Sequence, residues 1–188
     1  MVSKIDTAWD LFLEGKTAEA KKLVEQDFSI DTCTDFSLLN LMGYLLLAEK
    51  DYASCTHIFE KYILLAQKNE DKEHEHIGLH QLAMIYRDQG DFHKALKLIE
   101  DEEKIVEEYF PNDNLKKAVN NYEQGYVRFK LNNLDEALTF MNLSLELSLE
   151  TDDVISQACS YRGLGEIYLA LEDRELSNRH FKRAIEAE

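Results

Sequence analysis

The sequence predicts an all-α fold, a right-handed superhelical α-solenoid of about five helix-turn-helix hairpins and about ten helices. Three observations carry that expectation. The 188 residues include one Pro and only seven Gly, and Leu, Glu, Ala and Lys abound, a composition that favours helix nearly throughout. Small residues recur in pairs twelve apart, at Ala8/Ala20, Gly43/Cys55, Ala83/Ala95, Gly125/Ala137 and Gly165/Ser177. A short polar segment lies inside every pair: Glu14-Gly15-Lys16-Thr17, Glu49-Lys50-Asp51-Tyr52, Gln89-Gly90-Asp91-Phe92, Asn132-Asn133-Leu134 and Glu172-Asp173-Arg174.

The constant spacing has a physical cause. Two antiparallel helices joined by a tight turn approach closely only where both carry small side chains, and the turn length sets how far apart in sequence those residues fall. Within the turns, Gly or Asn supplies the left-handed helix end, and Asp or Thr caps the next helix. Taken in order, helix 3–14 pairs with 17–28, 34–49 with 52–69, 72–89 with 92–109, 113–131 with 134–150, and 153–171 with 174–187. Asp113 and either Asp152 or Asp153 suit N-caps, and Phe110-Pro111-Asn112 stops the sixth helix. No linker or low-complexity segment interrupts the series, so residues 1–188 read as a single repeat domain.

The unit is most complete near the C-terminus, as Tyr161-x2-Leu164-Gly165-x2-Tyr168 followed by Ser177-x3-Phe181. It recurs as Leu79-x2-Leu82-Ala83-x2-Tyr86 with Ala95-x3-Ile99, and as Leu39-x2-Met42-Gly43-x2-Leu46 with Cys55-x3-Phe59. Weaker copies surround Ala8/Ala20 and Gly125/Ala137. This pattern resembles the tetratricopeptide repeat. Successive small residues of the first helices lie 35, 40, 42 and 40 apart, longer than the common period of about 34. In that respect the chain is similar to Rap-type regulators and kinesin light chains.

The resemblance implies a binding scaffold whose first helices line a concave groove. Packing residues occupy one side of each first helix, so the groove meets a stripe at i, i+4 and i+7 on another side. That stripe reads Ile5, Trp9 and Phe12, then Asn40, Tyr44 and Leu47, then His80, Met84 and Arg87. It continues as Tyr122, Tyr126 and Phe129, and ends as Arg162, Glu166 and Leu169. Asn40, Tyr44, His80, Met84, Arg87, Tyr122, Tyr126 and Arg162 are the expected peptide-binding residues, Asn and Arg for the partner's backbone and the aromatics for its side chains. Ile5, Trp9 and Phe12 read instead as core or as an interface. The carboxylate clamp of chaperone-binding repeats is not expected, because its Lys, Asn and Arg positions hold Ile5, Trp9, Leu41, Ile77 and Gln81.

Charge narrows the partner. A net charge of −16 repels nucleic acid and anionic lipid and favours a basic or neutral protein or peptide. The first residues lack the apolar stretch of a signal peptide, and no run reaches membrane-spanning length. Cys33, Cys55 and Cys159 are scattered without a CxxC, as expected of reduced thiols in a cytoplasmic protein.

Chemistry is hard to place. His76 and His80 share a helical face with Glu73, but the stretch is not HExxH, so no metal site is expected and His74 and His76 read as solvated. The runs Glu100-Asp-Glu-Glu103 and Glu107-Glu108 read as solvated faces. There is no phosphate loop, GxSxG or dinucleotide fingerprint, and the expectation is a non-enzyme without cofactor. The alternative is a self-associating structural or peptide-responsive regulatory module. It would pair as a homodimer through the outer face around Leu176, Phe181 and Ile185, since no solvating helix follows Glu188.

Overall fold

In the computed structural model, residues 3–187 are described; Met1, Val2 and Glu188 lie outside them. They form ten helices: α1 (Lys4–Leu13), α2 (Thr17–Val24), α3 (Phe36–Ala48), α4 (Tyr52–Lys68), α5 (Lys72–Asp88), α6 (Phe92–Tyr109), α7 (Asn114–Lys130), α8 (Leu134–Leu149), α9 (Val154–Ala170) and α10 (Arg174–Ala187). Only α2 departs from expectation by more than about two residues, ending at Val24 rather than at 28. There the chain tightens to an i→i+3 bond from the Asp27 N–H to the Val24 carbonyl at 3.1 Å, and the Asp27 carboxylate turns back to the Lys4 ammonium.

Each hairpin turn repeats one backbone device. A residue with positive φ stands seven places after the small residue of the first helix: Gly15 and Gly90 at φ 80°, Asn132 at 61°, Lys50 at 59° and Glu172 at 63°. Gly and Asn adopt this left-handed conformation readily. Lys50 and Glu172 do not, so turn geometry is imposed on them by the helices on either side. The next residue is the N-cap. Asp51 and Asp91 accept from the amides of Ser54 and Lys94, and Asp173 accepts from that of Leu176 at 3.0 Å. Lys16 and Asn133 make no side-chain cap, so the expected Thr cap of α2 is absent: Thr17 is already its first helical residue. Of the two Asp candidates before α9, Asp153 is the cap.

The chain divides at the α5–α6 turn into two compact units, Met1–Gln89 and Gly90–Glu188. In the N-terminal unit, Ala8 and Ala20 are fully buried between α1 and α2. The Cys55 thiol donates to the Gly43 carbonyl at 3.2 Å, and Phe59 lies so close that a Cβ at Gly43 would come within 2.4 Å of its ring. Burial pushes the Cys55 thiol up to about 12, which keeps it a packing residue.

The C-terminal unit repeats the arrangement. Ala137 and Met141 of α8 pack with Leu164 and Ile167 of α9, with Leu138 and Leu145 partly covered beside them. A Cβ at Gly125 would stand 3.1 Å from the Met141 amide nitrogen, so α7 and α8 touch through backbone. The Ser177 hydroxyl donates to the Gly165 carbonyl at 2.9 Å, tying α10 to α9. Among the described residues, no helix is long and apolar enough to cross a membrane.

Two stability measurements follow from the turns and caps. Lys50→Gly and Glu172→Gly each relieve a left-handed side chain, and each is expected to stabilise by about 0.5–1 kcal/mol, roughly 2–4 °C in thermal unfolding per kcal/mol for a chain of this size. Hydrogen bonds from Ser54 to Asp51, and from the His74 amide to Asp71, hold both carboxyls below their usual value. Their stabilisation is therefore complete above the ordinary carboxylate range and is lost as pH falls through the lowered folded values. The unfolding temperature is expected to be level from about pH 6 to pH 5 and to drop below about pH 4.

Candidate functional site

A recess in the C-terminal unit runs along α7 and α9. One cavity of about 180 Å³ is lined by Ala118, Val119, Tyr122 and Glu123 of α7, Ser144 of α8, and Ile155, Ser156 and Cys159 of α9. A second, of about 210 Å³, is lined by Val154, Ile155, Ala158, Cys159 and Arg162 of α9 with Ala184 of α10. The two share Ile155 and Cys159. Ile155 is 71 % exposed, an aliphatic side chain standing in water between two recesses.

Polar groups ring this recess. The Arg162 guanidinium donates to the Tyr122 hydroxyl at 3.4 Å, linking α9 to α7. Tyr122 and Tyr126 lie one turn apart with ring planes 22° apart and centroids 6.3 Å apart. The Lys130 ammonium sits 5.1 Å from the centre of the Tyr126 ring. Burial holds the Tyr122 phenol above its usual value, against the pull of the Arg162 bond. That same bond holds the Arg162 charge firmly in place.

Behind α7 runs a buried polar ladder that fixes its position. Asn120 donates to the Ile99 carbonyl at 3.0 Å and to the Glu102 carboxylate at 3.1 Å. Gln124 donates to Asn120, and Arg128 donates to Gln124 at 2.8 Å. Arg128 also reaches Glu100 and Glu136 at 3.1 and 2.9 Å, while its guanidinium stacks 4.2 Å from the centre of the Phe140 ring. The acidic run of α6 is therefore not simply a solvated face: Glu102 is 2 % exposed and held by Asn120. Asn120, Gln124 and Arg128 lie on one side of α7, and Tyr122 and Tyr126 on another, where both pack on the Ala137, Met141, Leu164 and Ile167 cluster and Tyr122 lines the recess.

In the N-terminal unit Tyr44 packs against Trp9 and Phe12 at centroid distances of 5.9 and 5.8 Å and accepts from the Gln81 amide at 2.7 Å. Trp9 donates to the Ser37 hydroxyl at 2.9 Å. The trio joins α1, α3 and α5. Asn40, one turn before Tyr44, buries its Oδ1 without a hydrogen-bond partner among the described residues. His80, Met84 and Arg87 are half-buried along α5, with Arg87 reaching Asp88 at 3.3 Å.

His74 and His76 are more enclosed than an open helix start leaves them. His74 stacks on Phe36 at 4.0 Å, and its Nδ1 meets the Asp71 cap at 2.8 Å. His76 pairs with Glu73 at 3.5 Å with only 12 % of its side chain exposed. The N-cap carboxylate and the neighbouring α3 cover what the sequence places at an open helix start. Among the described residues, no group of three or more His, Cys, Asp or Glu is arranged to hold a metal ion.

The sequence profile of the tetratricopeptide repeat matches residues 117–187, and a second profile of the same repeat matches residues 78–101. The chain is a tetratricopeptide-repeat protein. Its all-α repeat fold is shared with solved structures of low sequence identity. BtubC (BKLC) from P. vanneervenii superposes with a TM-score of 0.79 at 16% identity, over 98% of this chain and 78% of that one. A putative kinesin light chain from Podosopora anserina, with nearly identical TPR-like repeats, gives 0.74 at 16% identity, over 98% and 92%. MamA from Desulfovibrio magneticus RS-1 gives 0.65 at 17% identity, over 100% and 96%. No curated protein sequence matches the chain.

For this tetratricopeptide-repeat chain the first-helix stripe names Tyr122 and Arg162, which line the adjoining cavities, and Tyr126, which lines neither and stacks on Tyr122. It does not name Ile155, Cys159 or Glu123. Ile155 lies ten residues before Gly165, at the first turn of α9, beyond the reach of a stripe centred on the small residue. The adjoining Val154 and Ile155, apolar residues just after an N-cap, are the signal that points to it. The ladder behind α7 sets a further expectation. Asn120→Ala removes one donor from the Ile99 carbonyl and from the Glu102 carboxylate and takes away the acceptor of the Gln124 amide, and is expected to destabilise by about 1–3 kcal/mol in urea unfolding.

Proposed function

We propose that this protein is a non-enzymatic scaffold of the cytoplasm that binds a protein or peptide segment in the recess along α7 and α9. Tyr122, Tyr126 and Arg162 are its contact residues there. The observation that carries the reading is the pair of adjoining cavities that share the exposed Ile155 and are bordered by a Tyr–Arg hydrogen bond. Tyr and Arg supply large contact area and directed donors at low entropic cost, and an exposed aliphatic beside them offers apolar area to bury. Nothing in the recess supplies a nucleophile with an activating base. In the N-terminal unit Tyr44, His80, Met84 and Arg87 are offered as a second stretch of contact surface. Asn40 is a weaker member, because its Oδ1 is already covered.

The alternative, pairing of two copies through α10, has less support. Phe181 lies against Gly165, and Leu176 is half-buried, so neither forms an open apolar face. Where α8 presents Leu134, Leu138 and Leu145, α10 has Arg174, Asn178 and Ile185 at the same offsets. Of these only Ile185 is an exposed large apolar residue. Sedimentation at low concentration is expected to give a monomer, and a tight dimer would revive the pairing.

The groove is tested by Ile155→Asp, a change at an exposed side chain that spares the core. Affinity capture from cell extract is expected to lose its specific partners with this variant. Leu64→Asp, at a residue 66 % exposed on α4, is expected to keep them. An unchanged partner set with Ile155→Asp contradicts the assignment.

A further inference from the structure

The cavity between α7 and α9 holds one group that a purely apolar occupant has no use for. Glu123 lines it and is 6 % exposed, so a carboxylate stands in a wall otherwise made largely of Ala118, Val119, Tyr122, Ile155 and Cys159. A carboxylate so placed is costly unless cations or donors face it. Its charge is felt at the Tyr122 hydroxyl, which burial and, to a smaller degree, Glu123 hold above its usual value. The carboxylate offers about four acceptor positions, so contacts it makes inside the protein leave capacity for another donor.

Two opposite charges therefore border the recess, and their settings decide between them. Arg162 is exposed, so water and salt screen its field. Glu123 is buried, where a charge acts roughly fourfold more strongly than in bulk water. The chain as a whole carries −16, which draws cationic segments toward it and repels anionic ones. The Tyr122 ring adds a face on which a cation can rest. At about 180 Å³ the cavity is large, since a single water needs only on the order of 10–15 Å³ of such space.

We propose that this cavity receives a basic side chain, a Lys or Arg carried by an extended segment of a partner protein. The aliphatic stem lies along Ile155 and Ala118, and the charged head meets Glu123 and the Tyr122 ring. This rests on the groove reading above and adds to it the chemistry of the occupant.

The test uses three fluorescein-labelled peptides, Gly-Leu-X-Leu-Gly, in which X is Lys, norleucine or Glu. Binding to the full chain and to its Glu123→Gln variant is read by fluorescence polarisation. The Lys peptide is expected to bind at least about tenfold more tightly than the norleucine peptide, which keeps the stem and lacks the charge, and the Glu peptide more weakly still. In Glu123→Gln the Lys advantage is expected to vanish while norleucine binding stays unchanged. Equal binding of Lys and norleucine peptides overturns the inference, as does a preference for Glu. A Lys preference that survives Glu123→Gln reflects the bulk charge of the chain and overturns it too, and so does failure of all three to bind. Should Glu123→Gln fail to fold, the Lys-to-norleucine ratio on the unaltered chain decides. None of these results touches the groove reading, which stands or falls on capture by Ile155→Asp.

Discussion

The close approach of the two helices within the hairpins α3–α4, α7–α8 and α9–α10 is the constraint on which the rest depends. At Gly43 and Gly125 there is no room for a methyl group, and at Gly43 and Gly165 the second helix also donates a side-chain hydrogen bond to the carbonyl of the first. Contact at that distance forfeits nothing to voids and leaves the turn little freedom in length. The residue seven places on must then take a left-handed conformation, and the residue after it begins the next helix. The recurrence of small residues, positive φ and N-cap is thus one requirement expressed at three positions.

The same constraint makes the recess. The first helix α7 packs one side on α8 and another on α9, and the recess opens between α7 and α9. On α7 one side carries Asn120, Gln124 and Arg128, and another carries Tyr122 and Tyr126, half-buried against the Ala137, Met141, Leu164 and Ile167 cluster with Tyr122 also lining the recess. The polar ladder fixes this placement: rotating α7 would break the Asn120–Ile99, Asn120–Glu102 and Gln124–Asn120 hydrogen bonds, at about 1–3 kcal/mol for each buried group left unsatisfied. A fully apolar interface would tolerate such slippage more readily. The chain therefore fixes the side of α7 that carries Tyr122 and Tyr126 by satisfying polar groups on another side.

Most of the fold was legible because its signals are local and repeated. Small-residue spacing, turn polarity and helical periodicity placed every element of the described chain to within a few residues. Misreadings arose where tertiary contacts override local preference. Lys50 and Glu172 occupy left-handed positions that local propensity assigns to Gly or Asn. His74 reads as solvated until Phe36 from another helix covers it. Glu102 sits in an acidic run like any exposed carboxylate, and only the facing Asn120, eighteen residues away, marks it as buried. At the candidate recess, the repeat register singles out Tyr122 and Arg162, which line it, and Tyr126, which stacks on Tyr122. It does not single out Ile155 and Glu123, because their roles depend on the separation of α7 and α9, which no spacing within one helix records.

The central claim is that the recess beside Ile155 is where this protein meets its partner, and site-specific photo-crosslinking tests it most directly. A photoreactive residue placed at position 155, and separately at position 64, reports what lies against each in the cell. The account predicts discrete cross-linked products from position 155, joined to the partner through segments rich in Lys or Arg, and only diffuse background from position 64. The same products from both positions, or none from position 155, would contradict it.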